Sequence, residues 1–366
     1  MERAWSSPES LKIDCRWFRG DVPCTPHKEY GIHCIDEQGH DCTHYEKLTS
    51  KILLIKLGAI GDVIRTTPLL RRLKDLHPHA QIWWLTLTPE IIPSTVDVIL
   101  PFTTQSLAAL QATQFDLIIN LDKDIEACGL TATLSAVTKK GFVLREGKVA
   151  PIDNDAVPKF MTGIFDDLSK DNIKTYQEEI FEISGMKFAG EKYMLDSFSH
   201  NGYTWKLPKK KKIVGLNTGC GGRWVSRLWA EKNWLTLAKK LRKVGYLPLF
   251  LGGAHEDKKN RRLAQKSGGL YLGHFPLPQF INLVDQCTLV VTAVTMAMHI
   301  VVGLNKKIVL FNNIFSQHEF ELYGLGEILE PEFDCPCYYS PVCPNNCMQY
   351  IYSERVFQTC QTLLAA

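Results

Sequence analysis

The 366 residues carry 42 Lys+Arg against 39 Asp+Glu, a formal net charge of +3, and 45% of them are hydrophobic. That balance excludes a disordered acidic chain and a histone-like polycation, and the length exceeds one ordinary domain while sufficing for two cores. Twelve cysteines are too sparse for a small disulfide scaffold, and the opening MERAWSSPES lacks the apolar core of a secretory signal. Reduced thiols are therefore expected, with clusters of them read first as metal ligands, in a cytoplasmic protein of two domains plus a small extra segment.

Residues 1–48 form that extra segment, a Cys-rich extension holding Cys15, Cys24, Cys34 and Cys42 without any long apolar run. Six basic residues against nine acidic in the first fifty leave it at −3, which argues against a nucleic-acid-binding finger. The spacing C-x8-C-x9-C-x7-C, interleaved with His27, His33, His40 and His44, is read as a structural Zn site, although it lacks a C-x2-C knuckle. At Lys51 the character changes. Residues 52–57 are a near-continuous apolar run of the buried parallel-strand kind, 58–62 a glycine turn, and 63–77 a helix with Ile64, Leu69, Leu70, Leu73 and Leu76 on one face. Strand candidates follow at 81–85 and 115–119. Strand and helix alternating at this rhythm predict a parallel α/β sheet over 49–200.

A polar stretch at 195–212, with Pro208 and four consecutive lysines, is read as a linker. The rhythm then restarts over 201–350: strands at 213–217, 247–251, 289–291 and 308–311, a glycine-rich loop at 218–222, and an amphipathic helix at 234–244. The apolar stretch 287–304 is interrupted by Thr288, Thr292, Thr295 and His299, so it reads as strand, turn and helix rather than a membrane span. Residues 351–366 close the chain as a helix. The expected fold is α/β, two Rossmann-like domains in tandem with the small Cys-rich N-terminal extension.

Several features carry chemistry. No G-x-G-x-x-G follows the first strand, so a nicotinamide enzyme is not supported. Asp62 opens the helix after that strand and faces the crevice where α/β proteins bind ligands, placed either as a general base or as an N-cap. Between 206 and 262 there are 16 Lys+Arg against 3 Asp+Glu. Beside a glycine-rich loop this surplus favours a nucleotide diphosphate, while Lys239, Lys240, Arg242 and Lys243 on one helix also suit an anionic membrane surface. Asp122 and Asp124 have D-x-D spacing, read as acceptor-side or solvated, with divalent metal binding as the alternative. Cys335, Cys337, Cys343 and Cys347, spaced C-x-C-x5-C-x3-C, can supply four thiolates to Zn or Fe.

The run KILLIKLGAIGDVIRTTPLL (51–70) resembles the opening of glycosyltransferase family 9, the ADP-heptose:lipopolysaccharide heptosyltransferase family. NTGCGGRWVSRLWAEKNW (217–234), LGGAHEDKKNRRLA (251–264) and VVTAVTMAMHI (290–300) are similar to three further motifs of that family, in family order, and the likeness runs from 51 to 347. The resemblance implies a GT-B fold, with two Rossmann-like domains facing a central cleft, the acceptor on the first and the nucleotide sugar on the second. It implies Asp62 as the base that deprotonates the acceptor hydroxyl and Arg227 as the cation beside the leaving diphosphate. Donor contacts fall on Thr218, Gly219 and Ser226 of the loop, Glu256 at the ribose, Thr295, Met296 and Ala297 at the phosphates, and His299. No cofactor is implied for catalysis.

One departure stands out. Where the family's D-T/S-G-x-x-H segment carries Asp and Gly, this chain has Val294 and Met296. The expected activity is inverting transfer of a sugar, heptose from ADP-heptose, to lipopolysaccharide core or another bacterial surface glycan. The acceptor is then a glycan or glycolipid, the enzyme is cytoplasmic with peripheral contact at the inner face of the membrane, and nucleic acid is not a partner. The alternatives are a non-catalytic nucleotide-sugar-binding scaffold and transfer of a different sugar to a protein.

Overall fold

The computed structural model describes residues 7–208, 210–333 and 335–365. Its first sheet contains β1 Ser50–Ile55, β2 Ala80–Thr86, β3 Val98–Pro101, β4 Phe115–Asn120, β5 Ala136–Arg145 and β6 Lys148–Pro151, in the order β3-β2-β1-β4-β5-β6. All neighbours are parallel except β5 and β6. Those two form a hairpin through Glu146 and Gly147, both at positive φ, the backbone such a two-residue turn needs. The second sheet contains β7 Ile213–Asn217, β8 Leu247–Leu251, β9 Leu289–Ala293, β10 Lys307–Phe311 and β11 Gly326–Leu329, parallel throughout in the order β11-β10-β9-β7-β8. In each sheet the chain reverses its winding direction beside its first strand, β1 or β7, and that is where open α/β sheets leave a crevice at the strand carboxyl ends.

Sequence dictates this burial. Ile52, Leu53, Leu54 and Ile55 of β1 are all essentially inaccessible, since a central strand covered on both faces admits no polar alternation. The helices are α1 Thr25–Tyr30, α2 Ile60–Thr66, α3 Pro68–Leu76, α4 Thr104–Gln111, α5 Ile125–Thr133, α6 Val157–Thr162, α7 Asp166–Asp171 and α8 Tyr176–Ile183, then α9 Glu231–Lys243, α10 Asp257–Ser267, α11 Leu277–Asp285, α12 Met296–Gly303 and α13 Ser353–Ala365. The single helix expected over 63–77 is two: Pro68 cannot donate a helical N–H, so α2 ends and α3 restarts with proline in its first turn. The stretch 287–304 is β9, a turn and α12, and no described helix is long and apolar enough to cross a membrane. The described residues of 195–212 are irregular apart from one 3-10 turn, yet Trp205 packs on Phe275 and donates from Nε1 to Asn282 Oδ1 at 2.8 Å.

Cys15, Cys24, Cys34 and Cys42 are free thiols around a small apolar cavity of about 30 Å³, more widely spaced than the C-terminal cysteines. The segment is also tied to the body of the protein. Arg16 bonds Glu46 at 2.7 Å and the carbonyl of Ala80 at 3.1 Å, and reaches Asp97 as well. The D-x-D pair is not simply solvated, as one reading of its spacing had it. Asp122 is buried, pairs with the Lys56 ammonium and accepts the Leu57 N–H, tying the end of β1 to the end of β4. Burial works against the Lys56 charge, but the acidic groups around it, Asp122 and Asp62 among them, hold its pKa above the usual lysine value.

Removing one partner of such a pair strands the other charge in a dry site. Lys56→Met is expected to cost about 3–5 kcal/mol of stability in urea unfolding at neutral pH, and Lys56→Met with Asp122→Leu to recover most of it. Equal losses in the single and double variants would show that the pair itself is not what matters.

Candidate functional site

The two crevices face each other across one cavity of about 950 Å³, lined by the turn after β1 on one side and by the loops after β7, β8, β9 and β10 on the other. The β1 wall is organised by Asp62. Its Oδ2 accepts the Ala59 N–H at 3.3 Å, which caps α2, and its Oδ1 meets Arg65 Nη2 at 2.9 Å one turn later. The same guanidinium reaches across the cavity to Glu319 Oε1 at 2.7 Å and lies flat on the Tyr176 ring, its centre 3.4 Å from the ring centroid. Burial would raise the Asp62 pKa, but Arg65 and then Lys56 outweigh it, so the carboxyl sits below the ordinary aspartate value and is ionised at neutral pH.

Gly61 is required beside it. A Cβ there would stand 2.6 Å from His299 Cδ2, so only glycine lets α12 close on α2. His299 is buried, with Nδ1 3.4 Å from the Tyr193 hydroxyl. Burial, helped by the nearby Arg65 charge, pushes its pKa down to about 3, and it is neutral in the folded protein.

On the opposite wall the glycine-rich loop has a parallel constraint. A Cβ on Gly219 would fall 2.4 Å from the Glu256 carboxyl carbon, so the glycine makes room for that side chain, which accepts the Gly253 N–H at 3.0 Å. Arg227, at the end of a 3-10 turn Val225–Arg227, bonds only main-chain carbonyls: Val294 O through Nη1 and Cys220 O at 3.1 Å through Nη2. Its buried Nε has no partner, and no carboxylate pairs with it among the described residues. Burial without a counter-ion depresses the guanidinium to about 10, leaving it charged at neutral pH and turned toward the cavity. An uncompensated buried cation next to the N-terminus of α12 is a ready anion site.

Of the residues expected from sequence, Asp62, Gly219, Arg227, Glu256, Thr295, Met296, Ala297 and His299 all line this cavity. Thr218 and Ser226 do not. The Thr218 hydroxyl is turned inward and donates to Asn260 Oδ1 at 2.6 Å, and Ser226 donates from Oγ to Ser340 O at 2.8 Å and from its N–H to Pro341 O at 3.0 Å. Val294 contributes its carbonyl, to Arg227, rather than any side-chain charge. Sequence reasoning missed Arg65, Trp224, Phe315, Glu319 and Tyr339, all of which line the cavity. Arg65 was findable, three residues from Asp62 on one helical face, whereas Phe315 and Glu319 stand in a motif-free loop and Tyr339 in a loop marked only by its cysteines.

The C-terminal cysteines do converge. Cys335 and Cys343 Sγ lie 3.7 Å apart, and with Cys347 the three ligand atoms fall within 4.8 Å of one another. Cys337 is outside that set and adjoins Cys335 and Cys343. Three mutually close thiols with a fourth beside them match the donor set that Zn or Fe takes. This loop also carries Ser340 and Pro341, so it buttresses the turn that holds Arg227.

Comparison with known proteins agrees with the geometry. The crystal structure of a glycosyl transferase family 9 protein from Veillonella parvula DSM 2008 superposes with a TM-score of 0.65 at 17% identity, over 87% of this chain and 98% of that one. The E. coli ADP-heptose lps heptosyltransferase II superposes at 0.64 and 17%, over 86% and 98%. TibC, an iron-containing dodecameric glycosyltransferase of enterotoxigenic E. coli, does so at 0.55 and 12%, over 89% and 81%. No curated protein matches by sequence. These likenesses establish the GT-B fold. The sequence model of glycosyltransferase family 9 (heptosyltransferase) matches residues 104–313, more than half of the chain, and the protein belongs to that family of glycosyltransferases.

Proposed function

We propose that the protein is an inverting transferase that moves heptose from ADP-heptose to lipopolysaccharide core or another bacterial surface glycan. The observation that carries this reading is the pairing, across one cavity, of an ionised Asp62 with an Arg227 that has no counter-ion. Asp62 takes the proton of an acceptor hydroxyl, most directly at Oδ2, whose one hydrogen bond among the described residues is the long one from Ala59. The acceptor oxygen then bonds the anomeric carbon from the face opposite the bond to the diphosphate. That bond breaks, and its electron pair leaves on the diphosphate. Arg227, with the backbone N–H groups of the glycine-rich loop and of residues 295–297, meets the charge that builds there. Displacement in line inverts the anomeric centre. Support for the donor comes from the ADP-heptose-using relative among the similar folds.

The exposed residues Lys239, Arg242 and Lys243 of α9 support peripheral contact with the anionic inner face of the cytoplasmic membrane, while Lys240 is engaged by Glu354. Cys335, Cys343 and Cys347, with Cys337 beside them, would hold a structural Zn or Fe ion, and the iron in TibC supports that reading. Such an ion would brace the loop that carries Ser340 and Pro341.

Calorimetry with ADP, GDP and UDP tests the donor. ADP is expected to bind in the micromolar range, weakened about 10- to 100-fold by Arg227→Ala, since a charged hydrogen bond is worth about 1.5–3 kcal/mol. Preference for GDP or UDP would discard ADP-heptose, and no binding of any of the three would overturn the reading. Elemental analysis tests the cysteines. About one Zn or Fe per chain should copurify and be lost in Cys343→Ser; a metal-free wild-type protein would show that the thiols merely pack.

A further inference from the structure

We propose that the hydroxyl of Tyr339 hydrogen-bonds the transferred sugar of the bound donor. The proposal rests on the donor-site reading above and concerns a residue that neither the motifs nor the mechanism uses.

Tyr339 comes from the C-terminal cysteine loop and lines the cavity, with about half of its surface exposed there. Its backbone is in the left-handed region, at φ 50, which a bulky residue adopts only when its surroundings require it. Those surroundings are visible: its N–H donates to Ile314 O at 2.8 Å, and its ring is gripped edge-on by Trp224, at 5.6 Å, and Phe315, at 5.3 Å. Arg227 lies on the same aromatic pair, 5.4 Å from the Trp224 ring and 5.6 Å from Phe315. The phenol is therefore rigidly mounted, and yet its hydroxyl has no hydrogen-bond partner among the described residues. The neighbouring Tyr338 differs, donating to Ser169 Oγ at 2.9 Å.

Position decides the ligand group. Tyr339 shares the cavity with Asp62, Arg65 and Glu319, on the side of the proton acceptor, and rests on the same Trp224 and Phe315 rings as Arg227, on the side of the leaving group. In an in-line displacement the group between base and leaving group is the sugar itself. Sheet order agrees. Glu256 follows β8, the glycine-rich loop follows β7, residues 295–297 follow β9, and Phe315, on which Tyr339 rests, follows β10. With the diphosphate at Arg227 and the glycine-rich loop, as proposed above, the order β8-β7-β9-β10 puts Tyr339 at the end of the cavity away from Glu256. At that end Val294 presents no polar side chain and its carbonyl is occupied by Arg227, while Glu319 is engaged by Arg65, so Tyr339 brings a polar group with no protein partner among the described residues.

Calorimetry of Tyr339→Phe with ADP and with ADP-heptose separates the possibilities. The account expects ADP affinity within about twofold of wild type and ADP-heptose affinity reduced about 5- to 10-fold, the loss of one neutral hydrogen bond. Unchanged affinity for both would overturn the proposal. Equal weakening of both would also overturn it, showing that Tyr339 serves only to seat Arg227. Tyr339→Ala should weaken ADP as well, because the aromatic mount of Arg227 is lost, which confirms that the ring is where it is placed. Failure of wild type to bind either compound would instead remove the donor-site reading, and this proposal with it.

Discussion

Arg65 is the interaction on which the rest of the site depends. One mostly buried guanidinium serves Asp62 on its own helix and Glu319 from the opposite half of the chain, with the Tyr176 ring beneath it. A cation so far removed from water must be paired, and two carboxylates more than meet that need. The consequence is both mechanical and chemical. The two sheets are drawn together at the cavity, and the Asp62 carboxyl is kept ionised although burial works against its charge. Closure and the charge of Asp62 depend on the same side chain.

The far wall shows the opposite condition. Arg227 has carbonyl partners but no anion, and its Nε is left over. Net negative charge around Arg65 and unbalanced positive charge at Arg227 polarise the cavity from acceptor side to donor side. In the proposed mechanism this polarity places the diphosphate near Arg227 and the proton acceptor at Asp62. Both walls use glycine for one physical reason: the space a Cβ would take is filled by a functional side chain, His299 against Gly61 and Glu256 against Gly219. These close approaches make the chemistry of one loop dependent on the packing of another.

Much of this was legible from local pattern. The apolar run before Gly58, the two glycines and Asp62 lie within a dozen residues, and the strand, loop and basic turn around Arg227 likewise form one short segment, so their arrangement is written in spacing. What spacing does not encode is contact between distant segments. Glu319 meets Arg65 across 254 positions, and Tyr339 reaches the cavity from a loop whose composition advertises metal binding instead. Thr218 and Ser226 illustrate the same limit: each sits in the glycine-rich segment, but Asn260 and the 340–341 carbonyls engage their polar atoms. The N-terminal segment shows the same: Arg16 reaches Asp97 across 81 positions, a contact no spacing announces.

The most direct test of the account is steady-state release of ADP from ADP-heptose in the presence of a lipopolysaccharide-core acceptor, comparing wild type with Asp62→Asn. The isosteric change removes the proton acceptor while leaving the α2 cap and the donor wall in place. Turnover should fall at least 100-fold, the scale of one general base, with KM for ADP-heptose changed by no more than a few-fold. Turnover that survives the substitution would contradict the assignment of Asp62 as the base, and with it the mechanism built across this cavity.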